Sequence, residues 1–201
     1  MIKKLGILDY GTGNLHSAAK AFAHVGADVV VTDRLEELGR CDGLVVPGVG
    51  AFAECANKLA QVGGFDYIRG WVQKQRPLFG ICVGHQILFQ SGLEHGVPTE
   101  GLGVYQGVVT GLAASPLPHM GWNTVESRSS SQLFDGLRGE RFYFVHSYAV
   151  QQAVRGAAYT SYDDVRFVAA VEQGAVCSTQ FHPEKSGDAG LQLLKNWLTA
   201  E

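Results

Sequence analysis

Four short apolar runs alternate with segments of helical periodicity in the first 90 residues, and this alternation narrows the possible folds more than any other feature. The runs are Leu5-Gly6-Ile7-Leu8, Asp28 to Val31, Gly43-Leu44-Val45-Val46 and Pro77-Leu78-Phe79-Gly80-Ile81. Runs this short and this apolar must be covered on both faces, and the segments between them can do it. Leu15, Ala18, Ala19, Phe22 and Val25 recur at helical spacing; Ala51 to Leu59, Phe65 to Gln75 and about Val83 to Gln90 read as further helices. The pattern predicts a parallel sheet between two helical layers. The second half differs. Gly107-Val108-Val109, Trp122 to Val125, Phe142 to Tyr148, Ala157 to Tyr162, Phe167 to Glu172 and Val176 to Phe181 are strand candidates a few turn residues apart, which favours antiparallel connections. A last helix, Ala189 to Thr199, places Leu193, Leu194, Trp197 and Leu198 on one face. No repeat or linker interrupts the chain, so one α/β domain over residues 1–201 is expected, a parallel core with an added antiparallel part.

Charge and cysteine usage exclude several classes of function. The 16 basic and 19 acidic residues spread evenly, for a net charge of −3, and offer no basic stripe to nucleic acid. Apolar runs fall far short of the ~20 residues that span a bilayer. Met1 to Leu5 leads straight into a strand with no room for a signal-peptide core, so a cytoplasmic protein is expected. Cys41, Cys55, Cys82 and Cys177 form no C-x-x-C pair and no Cys/His cluster, which argues against zinc and against a disulfide framework. Glycine is abundant, 26 of 201 residues against an average near ~7%, and must serve tight turns and close backbone approaches. Charged residues are only 17%, against about 25% on average.

Gly80-Ile81-Cys82-Val83-Gly84 is a G-x-C-x-G run between an apolar strand and a helix, the context of a nucleophile elbow. A Cβ at either glycine position would collide across so sharp a turn, and the helix N-terminus favours a thiolate at Cys82. The other three cysteines lack such flanking turns and read as buried structural thiols. Of seven histidines, His182 has a patterned neighbour: in Gln180-Phe181-His182-Pro183-Glu184, residues two apart project to the same side of an extended chain, and Pro183 favours that conformation before it. His182 then reads as a base and Glu184 as its orienting acid. An acyl-transfer site also needs oxyanion donors. The N–H of Val83 is the first expected, and Pro47-Gly48-Val49-Gly50, at the end of a neighbouring strand, is the candidate for the second.

These segments together resemble the class I (Cys-His-Glu) glutamine amidotransferases, of flavodoxin-like three-layer α/β fold. Further runs carry the resemblance: Asp9-Tyr10-Gly11-Thr12-Gly13-Asn14-Leu15, Pro47-Gly48-Val49-Gly50-Ala51-Phe52, His119-Met120-Gly121-Trp122-Asn123 and Phe144-Val145-His146-Ser147-Tyr148. These are most similar to the glutaminase subunits of imidazole glycerol phosphate synthases, and the resemblance covers essentially the whole chain. It implies a cofactor-free, metal-free hydrolysis of glutamine to glutamate and ammonia at Cys82, His182 and Glu184. Val83, Val49 and Gly50 would serve the oxyanion, with the strand containing Gly50 reorganising first. Gln86, Glu94, Ser147 and Tyr148 would bind glutamine. The ammonia would pass to a (β/α)8-barrel cyclase subunit in a heterodimer, yielding imidazole glycerol phosphate and an aminoimidazole carboxamide ribonucleotide in histidine biosynthesis. Asn14, Met120, Trp122, Asn123 and Lys185 would face that partner. His85 stands where members more often carry Met or Leu and is expected to pack beside the site. Two other readings are a class I glutaminase serving a different synthase, and a non-catalytic protein with Cys82 as a redox sensor.

Overall fold

A computed structural model of the chain describes residues 1–200. The first half runs β1 (Lys4–Leu8), α1 (Leu15–His24), β2 (Asp28–Thr32), α2 (Leu35–Leu38), β3 (Gly43–Gly48), α3 (Phe52–Gln61), α4 (Gly64–Gln73), β4 (Leu78–Cys82) and α5 (Val83–Ile87). There follow β5 (Ser91–Glu94), β6 (Val97–Glu100), β7 (Val108–Gly111), β8 (His119–Thr124), β9 (Arg141–His146) and β10 (Tyr148–Val150). The chain ends with β11 (Ala157–Tyr162), β12 (Val165–Gln173), β13 (Val176–Thr179), a 3₁₀ turn (Pro183–Lys185) and α6 (Gly187–Thr199).

The central sheet has the order β11-β12-β13-β4-β3-β1-β2. From β13 to β2 every neighbour is parallel, whereas β12 and β11 add on antiparallel. The apolar runs of the first half are therefore the parallel core, and β3 and β4 are buried along their whole length. Side-chain alternation along β4 separates the two helical layers. A Cβ on Gly80 would meet the Gly84 carbonyl oxygen at 2.9 Å and Leu88 at 2.9 Å, so that face carries α5. Phe79 points the other way and meets Trp197 of α6 at 5.1 Å between ring centroids; Trp197 in turn meets Phe22 of α1 at 5.8 Å.

The antiparallel part is more divided than the sequence suggests. β11 and β12 extend the central sheet, β10-β7-β5-β6 form a second sheet, and β8 and β9 form a two-stranded ribbon. Phe142 to Tyr148, expected as one strand, breaks at Ser147, whose carbonyl accepts a hydrogen bond from Leu112 N, so that Tyr148–Val150 can pair with β7 instead. The helix expected to reach Gln90 ends at Ile87. There Leu88 N and Phe89 N bond back to the His85 and Gln86 carbonyls in i to i+3 fashion, tightening the last turn.

The elbow depends on the absence of two side chains. Cys82 sits at φ 56° and ψ −111°, and a Cβ on Gly84 would collide with the Val46 carbonyl oxygen. Gly84→Ala should therefore cost about 3 kcal/mol or more, since backbone on both sides must shift. Gly70→Ala in α4, where a Cβ meets nothing within 4 Å, should stabilise by about 0.5–1 kcal/mol. Urea unfolding midpoints of the two variants test the contrast, and a Gly84→Ala protein as stable as wild type would refute the packing argument.

Candidate active site

Parallel α/β sheets bind their ligands beyond the carboxyl ends of the strands, where no side chains of the sheet fill the space. Here β3 ends at Gly48 and β4 at Cys82, side by side in register. β13 lies on the other side of β4 and carries the chain on to His182. A cleft of about 320 Å³ opens at this edge, lined by Val49, Gly50, Cys82, Val83, Gln86, Glu94, Val145, His146, Ser147, Tyr148, His182 and Lys185. The residues expected to act on, bind or stabilise the substrate thus line one cavity, except Glu184, which stands behind His182.

His182 Nδ1 and Glu184 Oε1 are 2.7 Å apart, both side chains buried. Their juxtaposition arises differently from the sequence expectation. His182 is extended (φ −99°, ψ 96°), but Pro183 opens a 3₁₀ turn through Lys185, and this turn rather than a strand end swings Glu184 under the ring. Proline suits the first position of such a turn, where no N–H is needed. The segment is clamped to the ribbon: His182 N donates to Tyr143 O (2.9 Å), Tyr143 N donates to Ser186 Oγ (2.9 Å), and Ser186 Oγ donates to His182 O (2.6 Å).

Burial pushes the His182 pKa down, but the Cys82 sulfur beside the ring and the Glu184 carboxyl hydrogen-bonded to it outweigh this and raise the pKa to about 9. The ring therefore holds its proton at neutral pH. Glu184 Oε2 is buried with no hydrogen-bond partner among the described residues. Its carboxylate is thus committed to the imidazolium.

The oxyanion segment holds a surprise. Val49 N donates to Thr12 Oγ1 at 3.3 Å, while the Val49 carbonyl lies 3.2 Å from Thr12 Oγ1 and accepts from Cys55 Sγ at 3.3 Å. The Val49 N–H expected as an oxyanion donor is therefore turned to Thr12 in this conformation. Val83, as the first residue of α5, has no partner for its N–H within the helix and faces the cleft. Gly50 is at φ +101°. Neither Thr12 nor Cys55 stood out in the sequence as touching this segment; Cys55 reads there as an ordinary helix thiol.

Among the expected substrate ligands, Gln86 spends its amide nitrogen on Tyr148 O (2.9 Å) and Gln180 Oε1 (3.0 Å), and Glu94 Oε2 accepts from Phe52 N at 2.7 Å, capping α3 just beyond the oxyanion segment. Of the expected partner-facing residues, Met120 and Trp122 are 62% and 51% exposed on the outer face of the ribbon. Asn123 turns inward and donates to Ser161 O (2.8 Å), Asn14 caps α1 by accepting from Ser17 N (3.3 Å), and Lys185 lines the cleft. His85 is fully buried with Nδ1 2.7 Å from Ser178 Oγ and has no carboxylate partner. Among the described residues, no group of three or more His, Cys, Asp or Glu could hold a metal ion, and no helix is long and apolar enough to cross a membrane.

A cysteine on a strained elbow, a charged histidine against it and a buried carboxylate behind define a thiol acyl-transfer site of amidotransferase type. Residues 6–200 match the family model for glutamine amidotransferase class-I, and the chain belongs to that family. Within it, the chain is similar to imidazole glycerol phosphate synthase HisH subunits: 50% identity to that of Corynebacterium efficiens (98% of this chain, 99% of the relative) and 53% to that of Cutibacterium acnes (97% and 96%). The HisH subunit of Streptomyces avermitilis is also 53% identical, over 98% of this chain and 96% of its own length. The chain thus groups with the HisH glutamine amidotransferases rather than with glutaminases of other synthases. A solved structure described as a glutamine amidotransferase has the same fold, with a TM-score of 0.76 at 23% identity over 96% of this chain and 97% of its own.

Burial lowers the pKa of His85 to about 3, of His146 to about 3 and of His119 to about 4. For such groups the unfolded chain binds more protons as pH falls, so their stabilising contribution is present above about pH 6.5 and is lost as the pH drops toward the folded values. His182 acts in the opposite sense, losing its contribution as pH rises through about 9. His85→Leu should therefore reduce the loss of stability between pH 7 and pH 5 by on the order of 1–2 kcal/mol. Urea titrations at the two pH values measure it, and an unchanged difference would show that His85 is not buried neutral.

Proposed function

We propose that the chain hydrolyses glutamine to glutamate and ammonia at Cys82 and delivers the ammonia to a (β/α)8-barrel cyclase subunit. In this reading the two form a cytoplasmic heterodimer of histidine biosynthesis, with residues 1–201 acting as one amidotransferase domain. The observation that carries the chemistry is the alignment of Cys82, His182 and Glu184 at the mouth of one cleft. The Cys82 sulfur attacks the carboxamide carbon and forms the C–S bond; the C–N bond breaks as His182 gives its proton to the leaving ammonia. Water then attacks the glutamyl thioester, His182 takes the proton, and glutamate leaves with the sulfur freed. Glu184 keeps the ring oriented and favours its charged form. Val83 N–H supplies one oxyanion donor. The second comes from the Val49–Gly50 segment after it leaves Thr12, a rotation supported by the left-handed conformation of Gly50. Gln86, Glu94, Ser147 and Tyr148 form the glutamine pocket, and the apolar outer face of the ribbon, with Met120 and Trp122, meets the cyclase together with Asn14, Asn123 and Lys185.

The test mixes the chain with a cyclase subunit and its nucleotide ligand and follows glutamate release. Low activity alone, stimulation by the loaded partner and a loss of about 10³-fold or more in Cys82→Ala are expected. Rapid hydrolysis without a partner would contradict the coupling, and full activity in Cys82→Ala would contradict the chemistry.

A further inference from the structure

The register of the ribbon sets two histidines opposite each other at its inner end, His119 across from His146. Both are buried, and neither belongs to the reacting set. His119 is stacked between Phe144 and Tyr162, at centroid separations of 5.1 and 4.2 Å. Its Nδ1 lies 3.2 Å from His146 Nε2, and His146 Nδ1 lies 3.0 Å from the Tyr148 carbonyl oxygen.

These contacts determine the protonation pattern. A carbonyl oxygen can only accept, so His146 carries its proton on Nδ1 and presents a lone pair at Nε2. The contact between the rings is then a bond donated by His119 Nδ1–H. Burial keeps both rings neutral at physiological pH, so the direction of the bonds does not change there. Neutrality also matters to a neighbour, because a charged His146 would repel the protonated His182.

The Tyr148 carbonyl is a junction. It receives His146 from one side and Gln86 Nε2 from the other, at 2.9 Å. The same Gln86 nitrogen donates to Gln180 Oε1 at 3.0 Å, and Gln180 Nε2 lies 4.0 Å from Cys82 Sγ. An oriented series of polar contacts thus runs from the inner face of the ribbon to the nucleophile, passing through residues that wall the cleft.

We propose that His119 and His146 are positioning residues for glutamine: the pair aims the Tyr148 carbonyl and, through it, the Gln86 and Gln180 amides beside Cys82. This rests on the glutaminase reading above.

The experiment uses the full chain with its cyclase partner and measures kcat and KM for glutamine. In parallel it measures alkylation of Cys82 by iodoacetamide, a probe with no amino-acid portion to recognise. His146→Ala should raise KM about tenfold while alkylation stays within about twofold, the size expected for one lost buried hydrogen bond. His146→Asn, whose amide nitrogen can stand where Nδ1 stands, should recover most of the KM. His119→Leu keeps the apolar stacking but removes the donor, and should raise KM about threefold. Should His146→Ala not fold, the Asn and Leu variants carry the same comparison. A KM within twofold of wild type in both His146→Ala and His119→Leu would overturn the proposal. So would a parallel loss of alkylation and hydrolysis that Asn does not restore, because that marks general loss of packing. A wild-type complex that alkylates but releases no glutamate would instead defeat the glutaminase reading.

Discussion

The backbone of Cys82 is the constraint from which the rest of the site follows. An L-residue at φ 56° and ψ −111° lies outside the regions that sterics allow, and such strain persists only where its surroundings over-determine it. Here the determinants are close backbone contacts. Gly84 lies against the Val46 carbonyl, and a Cβ at Gly48 would meet the Tyr10 hydroxyl at 2.7 Å and Gly84 N at 2.8 Å. Tyr10 itself donates to the Pro47 carbonyl at 2.5 Å, fixing the end of β3 from beneath. Two strand ends and one helix start are thus held together with no side chain between them. This fixes the sulfur at the edge of the sheet and leaves the Val83 N–H beside it.

Once the sulfur is fixed, the position of the base becomes a question of topology. β13 must pair with β4 for the chain to bring His182 to Cys82, and the parallel register does so by placing Gly80 opposite Ser178 and Ile81 opposite Thr179. What remains is orientation, supplied by the 3₁₀ turn and by the clamp between Tyr143 and Ser186. The charged ring is stable because the Cys82 sulfur and the Glu184 carboxyl both favour it and because the neighbouring imidazole of His146 is neutral. One charged and one neutral histidine in a single cleft follow from their different partners, carboxylate and sulfur in one case, a carbonyl and another neutral ring in the other.

The sequence revealed the parallel core because β1, β3 and β4 are buried on both faces, so that they read as unbroken apolar runs between helical segments. It revealed the elbow and the His182–Glu184 pair because their chemistry is local, within five and three residues. The places it misled are those where distant contacts decide. Phe142 to Tyr148 reads as one strand because nothing in those residues says that Leu112 will take the Ser147 carbonyl. The β5–β6 hairpin, with exposed Leu93 and Val97, lacks a clear period-two pattern. That Val49 rests against Thr12 is equally hidden, because the hydroxyl that takes its N–H lies 37 residues away. Thr12 and Cys55 carry no local sign of that role; only the fold brings the segments after β1 and β3 close enough to each other and to α3 for it.

The ribbon joins surface to chemistry. Two strands alone are marginal in water, so β8 and β9 must take their rigidity from what lies beneath them. Antiparallel pairing puts His119, Gly121, Asn123, Phe142, Phe144 and His146 on the inner face. There Phe142 stacks on Phe181 at 4.4 Å, and Phe144 meets Phe181 at 5.4 Å. Phe181 immediately precedes His182, so the packing that stiffens the ribbon also holds the base. The outer face presents Met120, Trp122 and Tyr143, with Trp122 against Tyr143 at 6.0 Å. Tyr143 is also the residue whose N–H and carbonyl clamp the His182 segment. In the proposed complex, a partner pressing on that apolar face therefore bears on the same backbone that positions the catalytic histidine. The low charge content of the chain finds part of its explanation there, in an apolar surface kept next to the active site rather than dispersed over the molecule.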